Sequence, residues 1–179
     1  MSQPTLETER LYLRPFTLAD VERVALLAGD RTIAEMTSHI PHPYTEEDAR
    51  VWIETHPAAY AAGRIHTFAM VQKTNDELIG AISIIEKPGN DIGELGYWIG
   101  RDYWGRGFCT EAGLRIVEYG FAEVGLNKLM ARHFAKNPAS GKVMQKIGMQ
   151  QEGYFRQHMK RWGEYHDCPV YGILREEWA

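Results

Sequence analysis

Arg10-Leu11-Tyr12-Leu13-Arg14 alternates polar and apolar side chains, the period of a strand buried on one face. Thr17-Leu18-Ala19-Asp20 then carries a Ser/Thr-x-x-acid start signal, predicting a helix to about Ala28. Thr45-Glu46-Glu47-Asp48 repeats the signal ahead of a second helix, which Pro57 should kink or end. Between these helices the Ser38–Tyr44 loop is stiffened by Pro41 and Pro43. His66–Gln72 and Leu78–Ile85 are apolar runs joined by Thr74-Asn75-Asp76-Glu77, a hairpin pattern. The turn Pro88-Gly89-Asn90-Asp91 leads into a strand over Ile92–Ile99. Thr110–Val124 places Leu114, Val117, Phe121 and Val124 on one helical face. A strand over Leu129–Phe134, a helix over Pro138–Ile147 and a strand over Gln151–Arg161 follow. The turn Trp162-Gly163-Glu164 leads to a last strand, His166–Arg175. The order is β-α-α-β-β-β-α-β-α-β-β with no repeat or linker, which predicts one α/β (α+β) domain over residues 1–179.

Between the strand at Ile92–Ile99 and the long helix lies Gly100-Arg101-Asp102-Tyr103-Trp104-Gly105-Arg106-Gly107. Glycines at a helix N-terminus let successive backbone N–H groups turn toward one anion, and the helix dipole adds positive charge there. This is a pyrophosphate cradle. A Walker A loop is excluded, because Arg106 and Gly107 stand where Lys and Ser/Thr are required. A Gly-x-Gly-x-x-Gly dinucleotide loop is excluded by Thr110 in the third glycine position.

Composition narrows the partners. The net charge of −4 weighs against nucleic acid and mildly favours a cationic acceptor such as an amine. No apolar run approaches the ~18 residues of a membrane span, so neither DNA nor membrane is an expected partner. Met1-Ser2-Gln3-Pro4-Thr5 lacks a basic region followed by an apolar stretch, and Cys109 and Cys168 form no Cys-x-x-Cys. The expectation is a cytoplasmic protein without a signal peptide. The histidines show no His-x-x-x-His pair on a helix and no cysteine at zinc spacing, so no metal is expected. Arg156, His158, Lys160 and Arg161 form a basic patch that reads as a solvated strand face.

Trp104-Gly105-Arg106-Gly107-Phe108-Cys109 resembles the acetyl-CoA loop of GNAT N-acetyltransferases, Gln/Arg-x-x-Gly-x-Gly/Ala. With Thr110-Glu111-Ala112 it is similar to the form found in the Rim-like branch, the ribosomal-protein N-terminal acetyltransferase-like enzymes. Thr8-Glu9-Arg10-Leu11-Tyr12-Leu13-Arg14 resembles that branch's N-terminal signature, Thr-x-Arg-Leu-x-Leu-Arg. Gln151–Arg156 through Tyr165-His166-Asp167 is similar to its closing hairpin. The resemblance spans essentially the whole chain. It implies a GNAT fold: a mixed sheet of about seven strands with the fourth and fifth splayed, flanked by about four helices. It also implies acetyl-CoA as cosubstrate and direct transfer to a primary amine in a ternary complex. A protein or peptide N-terminal α-amine is the leading acceptor. A small amine, or a CoA-binding sensor without turnover, is the alternative. The protein is expected to be a monomer or a homodimer.

Under this resemblance Gly105, Arg106, Gly107, Cys109 and Thr110 hold the pyrophosphate. Backbone groups of Trp98 and Ile99 bind the pantetheine amides, and a strand N–H there polarises the thioester carbonyl. Asn137 hydrogen-bonds the pantetheine, Ser140 lies near the thioester sulfur as a cofactor contact and candidate acid, and Lys142 reaches the phosphates. Read only as residues, Asn137 and Pro138 suit the N-cap and first position of a helix, Trp98 suits core packing, and Lys142 an exposed helix face. Many GNAT enzymes carry Tyr four residues before the Gly after this helix; Gly148 puts Met144 there, which cannot donate a proton. Glu94 shares a strand face with Gly96 and Trp98 and is the candidate base, with a salt-bridged strand glutamate as the alternative. Asp167 and Glu164 are rival acids, suited to holding a cationic amine. Cys109 at a helix N-terminus raises the question of a depressed pKa and an acyl-cysteine, yet the family places small residues there and packing is the simpler role. The acceptor pocket is expected between the Ser38–Tyr44 loop and the Trp162–Asp167 hairpin.

Overall fold

In the computed structural model, which describes residues 2–178, Leu11–Arg14 is a strand with Leu11 and Leu13 buried, as its alternation predicts. A two-residue strand, β1 (Leu6–Glu7), pairs with it from upstream, so Leu11–Arg14 is β2. The expected hairpin is β3 (Ile65–Gln72) with β4 (Leu78–Lys87), and β5 (Ile92–Ile99) keeps its expected bounds. Then come β6 (Lys128–Arg132), β7 (Gln150–Arg161) and β8 (Glu164–Leu174). One sheet results, in the order β1-β2-β3-β4-β5-β6-β8-β7, antiparallel throughout except for the β5–β6 pair. It has eight strands where about seven were expected, because β1 is too short to show a period.

Among the described residues six α-helices replace the expected four or so: α1 (Val21–Ala28), α2 (Arg31–Met36), α3 (Glu46–Glu54), α4 (His56–Ala61), α5 (Phe108–Tyr119) and α6 (Pro138–Lys146). Both start signals form. Thr17 N–H donates to the Asp20 carboxylate at 2.8 Å, and Thr45 N–H to Asp48 at 2.8 Å while Asp48 N–H returns to Thr45 Oγ1 at 3.2 Å. Helix α2 escapes the pattern because six residues hold too little of a helical period; Asp30 caps it, accepting Thr32 N–H at 2.8 Å. Pro57 does end α3, but it also sits in the first turn of α4, where its missing N–H costs nothing. The stripe assigned to α5 needs correction: Leu114 is 52% exposed, and the buried face is Ala112, Ile116, Val117 and Tyr119. A wide turn over Gly120–Val124 then carries Phe121 back into the core.

The sheet is covered on both faces, which explains the near-continuous apolar run of β3. Phe68 and Met70 enter the larger core under α5 and α6, with Ile82, Ile116 and Leu129. Ala69 and Val71 point the other way, into a smaller core with Val24, Ala49 and Ile53 of α1 and α3. The two layers differ in one respect that matters for the site: α5 and α6 both begin at the place where β5 and β6 part.

Candidate active site

β5 runs beside β6 only over Ile92–Leu95, opposite Lys128–Ala131. Beyond that the β6 chain keeps to β8, with His133 N–H donating to Pro169 at 3.4 Å and Ala135 N–H to Asp167 at 2.9 Å. β5 keeps to β4 as far as Ile99, opposite Gly80. The sheet therefore splits between them, the splay expected of the fourth and fifth strands of the predicted order. Antiparallel pairing alternates which residues face the partner. Gly100 N–H donates to Ile79 at 2.8 Å and Ser83 Oγ to the Gly96 carbonyl at 3.4 Å, so Gly96 and Trp98 direct their backbone groups toward β4. Tyr97 and Ile99 direct theirs into the split. The expected backbone role of Trp98 is thus corrected: the residues facing the opening are Tyr97 and Ile99, and Trp98 supplies an indole wall. The Ile99 carbonyl already accepts the Trp104 indole N–H at 2.9 Å, which leaves the Ile99 N–H and both groups of Tyr97.

At the mouth of the split, Gly105 and Gly107 adopt φ of +74° and +81°, conformations open to glycine and strained for other residues. Gly107 caps α5, which starts at Phe108, two residues before the expected Thr110. The first helical hydrogen bond runs from Glu111 N–H to the Gly107 carbonyl at 3.0 Å. The N–H groups from Arg106 to Thr110 consequently have no acceptor among the described residues, and the helix dipole reinforces them. That arrangement fits a pyrophosphate. The Arg106 guanidinium lies 5.7 Å from the Tyr103 ring, off the cavity wall, so the part of Arg106 in the cradle is its backbone.

The N-terminal signature has a structural reason. Thr8 Oγ1 and Arg10 N–H donate to one oxygen of Glu111 at 2.6 and 2.7 Å, and Arg10 Nε to the other at 2.6 Å. Arg10 Nη1 also donates to the Arg106 carbonyl at 3.0 Å, and its guanidinium lies 4.4 Å from the Phe108 ring. Burial works to raise the Glu111 carboxyl, but the hydrogen bonds from Thr8 and Arg10 outweigh it and hold it below its ordinary value. Two motifs 103 residues apart are one clasp on the glycine loop. Cys109, next in the helix, lines the cavity, and burial pushes its thiol up to about 12. The helix terminus does not activate it, and no acyl-cysteine role follows.

On the far side of the split, Asn137 Oδ1 accepts Ser140 N–H at 3.4 Å as the cap of α6, with Pro138 behind it. The Asn137 amide nitrogen has no protein partner among the described residues and borders the cavity. Ser140 Oγ lies 2.8 Å from the Tyr97 hydroxyl, which is also 3.0 Å from the Ser140 carbonyl. Burial pushes the Tyr97 phenol far above its usual range, and the Ser140 bond opposes this only in part. Tyr97 therefore stays protonated and orients the serine hydroxyl. Lys142 is exposed at the rim, while Met144 is 1% exposed and packs into the core.

Glu94 faces the cavity with Gly96 and Trp98. One carboxylate oxygen is 2.9 Å from Arg132 Nε and the other 3.1 Å from Lys87 Nζ. The rival acids fall elsewhere. Asp167 accepts the Tyr154 hydroxyl at 2.8 Å and Gln157 N–H at 2.7 Å across a bulge in β7, beside a separate surface depression. Glu164 pairs with Arg161 at the hairpin end. Neither lines the cavity, which corrects their expected role. The hairpin instead braces the Ser38–Tyr44 loop: Arg161 donates to the Ile40 carbonyl, and the Trp162 ring lies 6.3 Å from that of His42.

The glycine loop, Glu94, Tyr97, Asn137 and Ser140 border one cavity of about 970 Å³, which passes from Gly105 and Thr110 through Tyr97 and Ser140 to Tyr44 and Trp52. Among the described residues no cluster of three His, Cys, Asp or Glu could hold a metal, and no helix is long and apolar enough to cross a membrane. Sequence reasoning missed Tyr97 and Trp104. Tyr97 follows an expected face by one position, so only the split of the sheet makes its side important.

The sequence profile of the Acetyltransferase (GNAT) domain matches residues 10–150. The N-acetyltransferase YnaD of Bacillus subtilis is 32% identical over 174 residues, covering 97% of this chain and 98% of its own. A GNAT-family acetyltransferase from Bacillus anthracis superposes with a TM-score of 0.87 at 29% identity, covering 97% and 99% of the two chains. RimL, a ribosomal L7/L12 α-N-protein acetyltransferase solved with coenzyme A, superposes at 0.88 with 17% identity, covering 96% and 98%, and so shares the fold.

Proposed function

The chain belongs to the GNAT acetyltransferase family and is an acyltransferase, and from that premise we propose that it moves an acetyl group from acetyl-CoA to a primary amine by direct transfer. One observation carries the reading: a backbone anion cradle and a split sheet open onto a single cavity that continues past Tyr97 and Ser140 to Tyr44 and Trp52. Acetyl-CoA supplies an activated acyl group on a leaving thiol. The N–H groups of Arg106–Thr110 hold its pyrophosphate, with Lys142 at the rim. The Tyr97 carbonyl and N–H, the Ile99 N–H and the Asn137 amide line the course of its pantetheine arm, and an N–H of that set aims at the reacting carbonyl oxygen.

Glu94 takes the proton of the attacking amine, directly or through a water molecule. Lys87 and Arg132 hold its carboxylate at the cavity wall. Ser140 donates a hydrogen bond to the departing sulfur, with its hydroxyl aimed by Tyr97. A thiol leaves with an ordinary pKa near ~8.5, so a stronger acid at the Met144 position is unnecessary. The acceptor is a protein or peptide N-terminal α-amine, the whole is one domain, and it works in the cytoplasm as a monomer or homodimer.

The deciding experiment is CoA release by thiol detection with acetyl-CoA against N-terminal peptides, polyamines, aminoglycosides and amino acids. The proposal expects release only with an acceptor present, and most with peptides. CoA binding by calorimetry without release on any amine would instead support a CoA sensor.

A further inference from the structure

The far end of the cavity has a floor and walls that are mostly apolar. β4 and β5 set Ala81, Ser83 and Gly96 side by side, which keeps the floor low, and Trp98 and Ile85 rise at either end of it. Trp52 of α3 stands opposite, fixed edge-on to Phe16 at 5.1 Å and to His56 at 4.5 Å. Two large apolar side chains lie open on this wall, Val51 at 53% and Ile85 at 43% exposure. Exposed apolar groups that converge on a cavity mark what it takes up.

The acids here are already engaged. Glu94 has a cation on each oxygen and is left to the reacting nitrogen alone, Asp48 is tied into its helix cap by Thr45 at 2.6 and 2.8 Å, and Glu47 sits at the rim, 3.8 Å from Arg50. A polyamine or an aminoglycoside carries several charges along its length, and each needs an unpaired carboxylate or water. An aromatic trough supplies neither. Tyr44 adds one polar point: burial, and after it the charge of Asp48, pushes its phenol up to about 12, and its hydroxyl bonds no protein group among the described residues.

We infer that the acceptor is a monoamine whose nitrogen is flanked by an apolar or aromatic group, seated between Trp52, Trp98 and Ile85, and not a polyamine. This rests on the acetyltransferase reading above and narrows its acceptor. A peptide whose first side chain is apolar fits the same description.

The test uses the full chain with acetyl-CoA and follows CoA release for n-alkylamines from propyl to hexyl, phenethylamine, the matching α,ω-diamines and spermidine. Expected is a rise in kcat/KM of about fourfold per methylene, the equivalent of about 0.8 kcal/mol for each CH₂ buried. Each diamine should fall at least about tenfold below the monoamine of equal length. Ile85→Glu, at an exposed strand position, should lower hexylamine turnover about tenfold and raise spermidine turnover, with CoA affinity by calorimetry unchanged. A flat alkyl series, diamines that match monoamines, or turnover on spermidine above that on hexylamine would overturn the inference. CoA binding with no turnover on any amine, or failure to bind CoA at all, would remove the acetyltransferase reading itself, and this inference with it.

Discussion

The two ends of the cavity are built from different materials. The cradle end is backbone: N–H groups from Arg106 to Thr110, two glycines at positive φ, and strand groups of Tyr97 and Ile99. The end proposed for the acceptor is side chain: Val51 and Trp52 on α3, Ile85 on β4, Trp98 on β5 and Tyr44 in the loop before α3. Backbone geometry of this kind demands glycine, a helix start and a cap, and those leave marks in a sequence. Side-chain walls can be made from many residues, provided that distant elements bring them together. The contrast teaches why the cosubstrate of such a chain is easier to read than its acceptor.

The strongest way to break the contrast is at Gly107. Val there would be β-branched at φ +81°, at about 2–3 kcal/mol of strain, and CoA affinity should fall by about 100-fold or more. Calorimetry measures it, with circular dichroism to show that the fold survives. Unchanged affinity would mean that the cradle does not bind the phosphates. Glu94→Gln probes the junction of the two ends. The prediction is a fall in kcat of about 100-fold at constant CoA affinity. A variant that is merely less stable, with kcat intact, would make Glu94 only the partner of Lys87 and Arg132.

The acceptor end should also respond to acid first. His56, behind Trp52, is buried with neither nitrogen hydrogen-bonded among the described residues, and burial pushes its pKa down from 6.5 to about 4. The unfolded chain therefore binds a proton below pH 6.5 that the native state refuses, so stability is full above 6.5 and falls as pH drops toward 4. Urea titrations should show a loss of about 2 kcal/mol between pH 6.5 and 5 from this group. His56→Phe should remove that part of the slope; an unaltered slope would assign it to other groups. The smallest expected effect sharpens the cradle end. Tyr97→Phe removes about one hydrogen bond of ~1 kcal/mol from Ser140, so kcat should drop about fivefold while the KM for acetyl-CoA holds. Loss of CoA binding in that variant would show that Tyr97 shapes the site and does not orient the serine.

Much of the frame was legible. The alternation at Leu11–Arg14, the caps at Thr17 and Thr45 and the strand Ile92–Ile99 all form where local chemistry says they should. What failed was short or context-bound. β1 and α2 are shorter than the periods that would reveal them, and Leu114 is apolar on a helix face that tertiary packing leaves in water. At the site, Asn137 read correctly as a cap because capping is local, whereas the roles given to Trp98, Asp167 and Glu164 depended on contacts no spacing encodes.

The sequence by itself determined the fold family and, through that family, the class of reaction, and it marked the glycine loop and the helix caps, since glycine conformation, capping and dipole act within a few residues of chain. The tertiary structure alone decided which backbone groups face the split in the sheet, that Arg10 and Thr8 grip Glu111, and that Tyr97 meets Ser140. It also placed Trp52 across from Trp98. Those facts follow from strand register and from layers packed on opposite faces, and register is a property of pairs of segments, not of any one of them.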